Sequence, residues 1–214
     1  MYQYILFDLD GTLTDPGVGI TNSVAYALEK YNIIVEDKTE LYKFVGPPLQ
    51  ESFQKFYGFS EEQSLEAVEY YREYFRVTGI YENEVYDGIE EMLFSLKKAG
   101  KHLLLATSKP EEFAEQILEH FQLDKYFDYT AGAAMDGTRV KKGEIIQYAI
   151  DHYPIEKLSE AVMVGDREHD IIGARQTGID SIGVLYGYGD DEELRKAGAT
   201  YIANGVEEVL KLLK

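Results

Sequence analysis

Short, unbroken apolar runs alternate with longer stretches of helical periodicity along most of the chain. Tyr4-Ile5-Leu6-Phe7, Leu103-Leu104-Leu105-Ala106, Ala161-Val162-Met163-Val164 and Ser181-Ile182-Gly183-Val184-Leu185 are such runs. Runs this short, without polar alternation, fit strands covered on both faces in a parallel sheet. Between the first two, Ile89, Met92, Leu93 and Leu96 share one helical face. The spacing predicts a helix starting at Asp87, with Glu90 completing a capping box and Gly100 closing the end. After Pro110, Phe113, Ile117, Leu118 and Phe121 repeat the helical pattern. Strand alternating with helix predicts an α/β fold with a doubly wound parallel sheet.

One interval breaks the alternation. From Pro16 to Glu84 the pattern is helical throughout: Ile20, Val24, Leu28 and Tyr31 recur at helical spacing, and Ser60 with Gln63 forms a capping box ahead of Leu65, Val68, Tyr71 and Phe75. Gly46-Pro47-Pro48 punctuates the middle. The expectation is a core domain of residues 1–15 and 85–214, with residues 16–84 inserted as an all-helical cap domain.

Composition narrows the setting. Cysteine is absent, so disulfide and thiol chemistry are excluded. No apolar run has membrane-spanning length and the N-terminus shows no signal-peptide pattern, which predicts a cytoplasmic protein without membrane attachment. The net charge of −18 disfavours nucleic acid as a partner. It also means that an anionic substrate needs a local positive centre, a metal or a lysine. Much of the acid excess serves solubility.

Candidate chemistry sits at the ends of the predicted strands. Asp8-Leu9-Asp10-Gly11-Thr12 follows the first run; residues two apart in an extended chain face the same way, and Gly11 lets the chain turn off. Carboxyl ends of parallel strands are where α/β sheets place ligands. Two carboxylates there need a cation or a shared proton, although such a string also serves as a plain polar turn. The second run leads into Thr107-Ser108-Lys109, which brings hydroxyl and backbone donors to the same edge. Gly165-Asp166 ends the third run and Asp170 follows, either on one helical face with Asp166 or capping that helix. Lys141 and Lys142 precede the helical pattern of Ile145, Ile146 and Ala149, where a lysine pair could equally be solvated surface.

Taken together, these elements resemble the haloacid dehalogenase superfamily of phosphotransferases. Asp8-x-Asp10-Gly11-Thr12 matches its first motif, Thr107 its second, Lys142 its third (with Lys141 the other candidate) and Gly165-Asp166-x-x-x-Asp170 its fourth. The motifs stand in the family's order, with the helical insert where the family carries its type-one cap. The resemblance implies a Rossmann-like core and hydrolysis of a small phosphate monoester through an aspartyl-phosphate on Asp8. Asp10 would protonate the leaving oxygen and then take a proton from water. Mg²⁺ would bind the Asp8 carboxylate, the Asp10 backbone carbonyl and Asp166, with Asp170 supporting the metal site. Thr107, Ser108 and Lys142 would hold the phosphate. Four acids set against Mg²⁺ and one lysine leave a negative site, so the metal is expected to be obligatory.

Single residues separate branches of this family. Dehalogenases lack the second acid, which Asp10 supplies here. The β-phosphoglucomutase branch carries a histidine twelve residues after the nucleophile, where this chain has Ile20. No cap lysine has the apolar setting of a phosphonatase Schiff base. Phe44-Val45-Gly46-Pro47-Pro48-Leu49, Asp136-Gly137-Thr138-Arg139 and Gly165-Asp166-Arg167-Glu168-His169-Asp170 look like the bacterial 5′-nucleotidase and phosphoglycolate phosphatase branch. Nucleoside 5′-monophosphates therefore rank first as substrate and phosphoglycolate second, with pyrophosphate and aryl phosphates below. Gly46 and Pro47 are the candidate substrate loop. The eight tyrosines and five phenylalanines of the insert could stack on a base or form the insert's own core. A substrate carboxylate would call for Arg72, Arg76 or Lys43. Arg167 and His169 could reach a leaving group or simply face solvent. A monomer or weak homodimer is expected. The reading from another class is a catalytically silent binding or regulatory module on the same fold.

Overall fold

The computed structural model describes residues 2–214. In chain order the elements begin with β1 (Tyr4–Phe7), β2 (Thr14–Asp15), α1 (Gly17–Glu29), α2 (Leu49–Tyr57), α3 (Glu61–Phe75) and β3 (Glu84–Val85). They continue with α4 (Ile89–Lys98), β4 (His102–Pro110), α5 (Glu111–His120), β5 (Tyr129–Ala133), α6 (Lys142–His152) and β6 (Ala161–Gly165). The last are α7 (Glu168–Thr177), β7 (Asp180–Val184), α8 (Asp191–Ala197), β8 (Tyr201–Ala203) and α9 (Val206–Leu213). Two compact units result: residues up to Thr14 with Val85–Lys214, and Asp15–Glu84.

The larger unit carries a six-stranded sheet in the order β5-β4-β1-β6-β7-β8, with every pairing parallel. The chain starts in the middle, at β1, winds out through β4 to β5, then returns to build β6, β7 and β8 on the other side. This is the doubly wound, Rossmann-like arrangement, whose direction of winding reverses beside β1. Leu6, Leu104 and Met163 project to one face, where they pack with Ile145, Ile146 and Ala149 of α6 and Ala174 of α7. By strand alternation Ile5, Phe7, Leu103, Leu105, Val162 and Val164 point to the opposite face. All are fully buried, which is why these runs lack a polar alternation.

Two strands, β5 and β8, carry no run of large apolar residues and were not anticipated from the pattern. Tyr-Thr-Ala-Gly-Ala and Tyr-Ile-Ala lie at the two edges of the sheet, where smaller and more polar residues suffice. The helix after Val85 begins at Ile89, with Gly88 as its N-cap at φ +83° and no side-chain cap bond. The Asp87–Glu90 capping box is therefore not formed; the Glu90 carboxylate accepts from Lys125 and Tyr126 instead.

The smaller unit contains α1, α2, α3 and two short 3-10 helices, and no strand lies within it apart from its end residues Asp15 and Glu84. The Ser60–Gln63 capping box forms in both directions, at 3.2 and 3.0 Å. Val68, Tyr71 and Phe75 are buried, whereas Leu65 is 52% exposed despite its place in the periodic pattern. Among the described residues no helix is long and apolar enough to cross a membrane.

Candidate active site

The site forms where β1, β4 and β6 end side by side. β1 pairs with both neighbours up to Phe7, which sits opposite Leu105 and Val164, so the next residues on each strand emerge together. Asp8 continues the β1 line, its N–H donating to the Val164 carbonyl at 2.9 Å. Gly11 then turns at φ +78°, where a Cβ would collide with the Asp166 carboxylate. On β4 the register against β5 shifts: from Ala106 to Pro110 β4 advances by four positions, while from Ala131 to Ala133 β5 advances by two. Such a bulge re-aims side chains, and here the displaced segment is Thr107-Ser108-Lys109.

On this frame Asp8, Asp10, Thr107, Lys109, Lys142, Asp166 and Asp170 are all buried. Lys142, the first residue of α6, uses its ammonium threefold: Asp8 Oδ1 at 2.8 Å, Asp170 Oδ1 at 2.8 Å and the Ala106 carbonyl at 3.1 Å. Lys141, one position earlier, is exposed, so Lys142 is the lysine that reaches the carboxylates. Asp8 Oδ1 also accepts from the Leu9 N–H at 2.8 Å. Asp166 leaves the end of β6, and Asp170 comes from the first turn of α7, where its carboxylate accepts from the Arg167 N–H at 3.1 Å. The helix starts at Glu168; the two acids therefore meet across a strand end and a helix start, not along one helical face.

Sequence reasoning placed only one lysine in the site, and the structure places two. Lys109 Nζ lies 2.8 Å from Asp10 Oδ2, with both side chains buried. Spacing offered little warning, because Lys109 follows Thr107 in a segment whose periodicity is broken by the bulge. Asp10 Oδ1 is buried with no hydrogen-bond partner. Thr107 Oγ1 accepts from the Lys109 N–H at 3.2 Å, which leaves its own hydroxyl proton to donate elsewhere. Arg167, by contrast, pairs with Glu193 at 2.9 Å.

The electrostatics favour an added cation. Burial pushes the Asp166 carboxyl well above its ordinary value, with the Asp170 and Asp8 charges adding to the rise. Burial also lifts Asp170 to about 6, against the pull of Lys142, and raises Asp10 against the pull of Lys109. Burial acts to lower Lys142, yet Asp170 and Asp8 outweigh it and hold the ammonium above its usual value. Four acids and two lysines leave two negative charges, which a dication would balance. Ligand atoms of Asp8, Asp166 and Asp170 lie within 4.8 Å of one another. An all-oxygen donor set of this kind suits a hard cation such as Mg²⁺, so the residues present fit the metal that the motifs imply.

In the insert, the aromatic rings mainly meet one another: Phe44 with Phe53 at 5.1 Å, Phe53 with Phe59 at 5.8 Å, and Tyr71 with Phe75 at 5.3 Å. That is the use of aromatic residues as the unit's own core. Arg72 pairs with Glu69 on its own helix at 2.6 Å.

Comparison with known proteins agrees with this fold. The sequence model of haloacid dehalogenase-like hydrolases matches residues 5–184. A 5′-nucleotidase of Pseudomonas aeruginosa is 46% identical over 213 residues, which cover 100% of this chain and 96% of that protein. Tyrosine-protein kinase PtkA of Mycobacterium tuberculosis is 38% identical over 203 residues, 94% of this chain and 68% of that one. The crystal structure of a predicted phosphatase from Clostridium acetobutylicum matches with a TM-score of 0.97 at 54% identity, covering 100% of this chain and 98% of the other. The chain belongs to the haloacid dehalogenase-like hydrolase family, and within it to the phosphatases.

Proposed function

We propose that this phosphatase hydrolyses small phosphate monoesters, nucleoside 5′-monophosphates foremost, through a phosphorylated Asp8. The observation that carries the reading is the division of labour between the two acids. Asp8 Oδ1 takes the contacts from Lys142 and Leu9, which leaves Oδ2 to attack phosphorus. Asp10 Oδ2 is held by Lys109, while Oδ1 has no partner and is the atom placed to carry a proton.

In the first half-reaction Asp8 Oδ2 bonds to phosphorus, the bond to the ester oxygen breaks, and Asp10 gives that oxygen its proton. In the second, water attacks the acyl phosphate while Asp10 takes a proton back. Inorganic phosphate leaves and the Asp8 carboxylate is restored. Thr107 and Ser108 donate to the phosphoryl oxygens, and Lys142 offsets the negative charge gathered at Asp8. Asp8, Asp166 and the Asp10 carbonyl would hold Mg²⁺, with Asp170 in support; the ion supplies charge stabilisation for the phosphoryl group.

The substrate ranking rests on the Pseudomonas relative's name, together with the branch resemblance. Residues 16–84 would act as the cap that sorts leaving groups, with Gly46 and Pro47 in its substrate loop. A panel of phosphate esters assayed with Mg²⁺ and with EDTA tests the whole reading. Nucleoside 5′-monophosphates should exceed phosphoglycolate in kcat/KM, and EDTA should abolish turnover until Mg²⁺ is restored. Ca²⁺ should inhibit, its looser coordination misplacing the attacking carboxylate. Full activity after exhaustive dialysis against EDTA would sink the metal assignment. A tenfold advantage for phosphoglycolate, about 1.4 kcal/mol of transition-state preference, would overturn the substrate.

A further inference from the structure

Asp166 is the one acid of the site without an ion pair among the described residues, since Lys142 holds Asp8 and Asp170 and Lys109 holds Asp10. Hydrogen bonds take the place of an ion pair at its carboxylate, and the segment that follows β7 supplies them. The Tyr188 backbone N–H donates to Asp166 Oδ2 at 2.8 Å. The Tyr186 hydroxyl donates to the Thr12 carbonyl at 3.0 Å, and the Thr12 hydroxyl faces Asp166 Oδ1 at 3.4 Å. One oxygen is thus held directly and the other through Thr12. Two glycines make the approach possible. A Cβ on Gly187 would run into the Gly11 carbonyl and the Asp166 Cβ, and one on Gly189 would run into the Asp166 carbonyl. Any side chain at either position would lift the segment off the acid it orients.

We propose that Tyr186-Gly187-Tyr188-Gly189 is a strap of positioning residues that sets the affinity of the site for its divalent cation and its preference for a small one. This rests on the reading that Asp8 and Asp166 bind Mg²⁺. A carboxylate oxygen that accepts one hydrogen bond keeps a second lone pair for a cation. Fixing both Asp166 oxygens leaves those lone pairs in one orientation before the ion arrives. A loosely held carboxylate would adapt to a larger ion as readily as to Mg²⁺, which demands a near-ideal octahedron. Outer hydrogen-bond partners of metal ligands typically contribute about 10–100-fold in metal affinity.

The test is calorimetric titration of Mg²⁺ and of Ca²⁺ into the full chain, as wild type, Gly187→Ala and Tyr186→Phe, with thermal unfolding followed in EDTA. Gly187→Ala should weaken Mg²⁺ binding by about tenfold or more and narrow its advantage over Ca²⁺. Tyr186→Phe should do so by a smaller factor. It removes one hydrogen bond and only a hydroxyl's volume, so it carries the test if Gly187→Ala does not fold. A purely structural strap would lower the unfolding midpoint in EDTA while leaving both cation affinities of the folded protein within about twofold of wild type, the spread that a positioning role would exceed. That result overturns the proposal alone. A wild type that binds no Mg²⁺ overturns the underlying metal reading and the strap with it.

Discussion

The two units bury different kinds of polar residue. Every buried acidic or basic side chain among the described residues, from Asp8 to Asp170, belongs to the α/β unit. The polar side chains buried in the helical unit are hydroxyls: Thr21, Ser23, Ser52 and Ser64. A buried charge is costly unless paired, and pairing rarely repays the whole cost, so a protein concentrates such groups where chemistry needs them. The helical unit is instead held by stacked rings and capped helices, and its lysines and arginines lie toward solvent. Chemistry and stability should therefore separate when the two units are perturbed.

The largest effect should come from the acids of the α/β unit. Asp8→Asn removes the nucleophile and should reduce kcat on an aryl phosphate by at least about 10⁴-fold while the circular dichroism stays native. Asp10→Asn keeps the shape and loses the proton carrier, so both half-reactions should slow, by roughly 10²–10⁴-fold. Rapid-quench measurement of the phosphorylated enzyme separates the two steps. An Asp10→Asn enzyme within about twofold of wild type would contradict the assigned role.

Next comes the buried pair that spacing did not disclose. Lys109→Met leaves the Asp10 charge buried and alone, which should lower folding stability by about 3–5 kcal/mol. The double variant Lys109→Met with Asp10→Asn removes both charges and should recover much of that loss without recovering turnover. Denaturant titration of the three proteins decides this. If the double variant is no more stable than Lys109→Met, the pair does not couple and the contrast between the units weakens. In the helical unit the expectation is reversed. Phe53→Ala opens a cavity among stacked rings and should cost about 3–5 kcal/mol, yet it should reduce kcat on an aryl phosphate far less than Asp10→Asn does.

Legibility in the sequence follows the same division. Asp8, Asp10, Thr107 and Asp166 could be brought together because strand ends in a parallel sheet converge, while Lys142 and Asp170, which lie on helices, are picked out by the family resemblance. Lys109 could not be read, because its contact with Asp10 depends on a bulge in β4 that no residue pattern announces. The strap after β7 was equally silent: Gly187 and Gly189 are informative only once Asp166 is known to lie beneath them. The edge strands β5 and β8 escaped because edge positions relax the demand for large apolar residues. The start of α4 was misread because a left-handed glycine at Gly88 replaces a side-chain cap. Within the insert, the periodicity that located α3 could not tell that Leu65 sits on its exposed side.

The smallest expected effect tests whether the helical unit contributes to selectivity at all. Gly46 sits at φ +98° between a 3-10 helix and α2, a backbone conformation that any side chain strains. Gly46→Ala should therefore cost about 1 kcal/mol or somewhat more in stability wherever the loop lies. If Gly46 and Pro47 form the substrate loop, the same methyl group should also shift the ratio of kcat/KM between a nucleoside 5′-monophosphate and a small aryl phosphate, by up to about tenfold for one methyl-sized change. The two consequences are separable, because stability is read from denaturant titration and selectivity from a ratio measured on one enzyme preparation. Strain alone would lower the amount of folded enzyme and move both kcat/KM values together, leaving the ratio unchanged. A shifted ratio with the aryl phosphate rate preserved would assign sorting to the helical unit and leave the chemistry with the buried charges of the α/β unit. An unchanged ratio, with the expected loss of stability, would remove Gly46 from the substrate loop and confine selectivity to other residues.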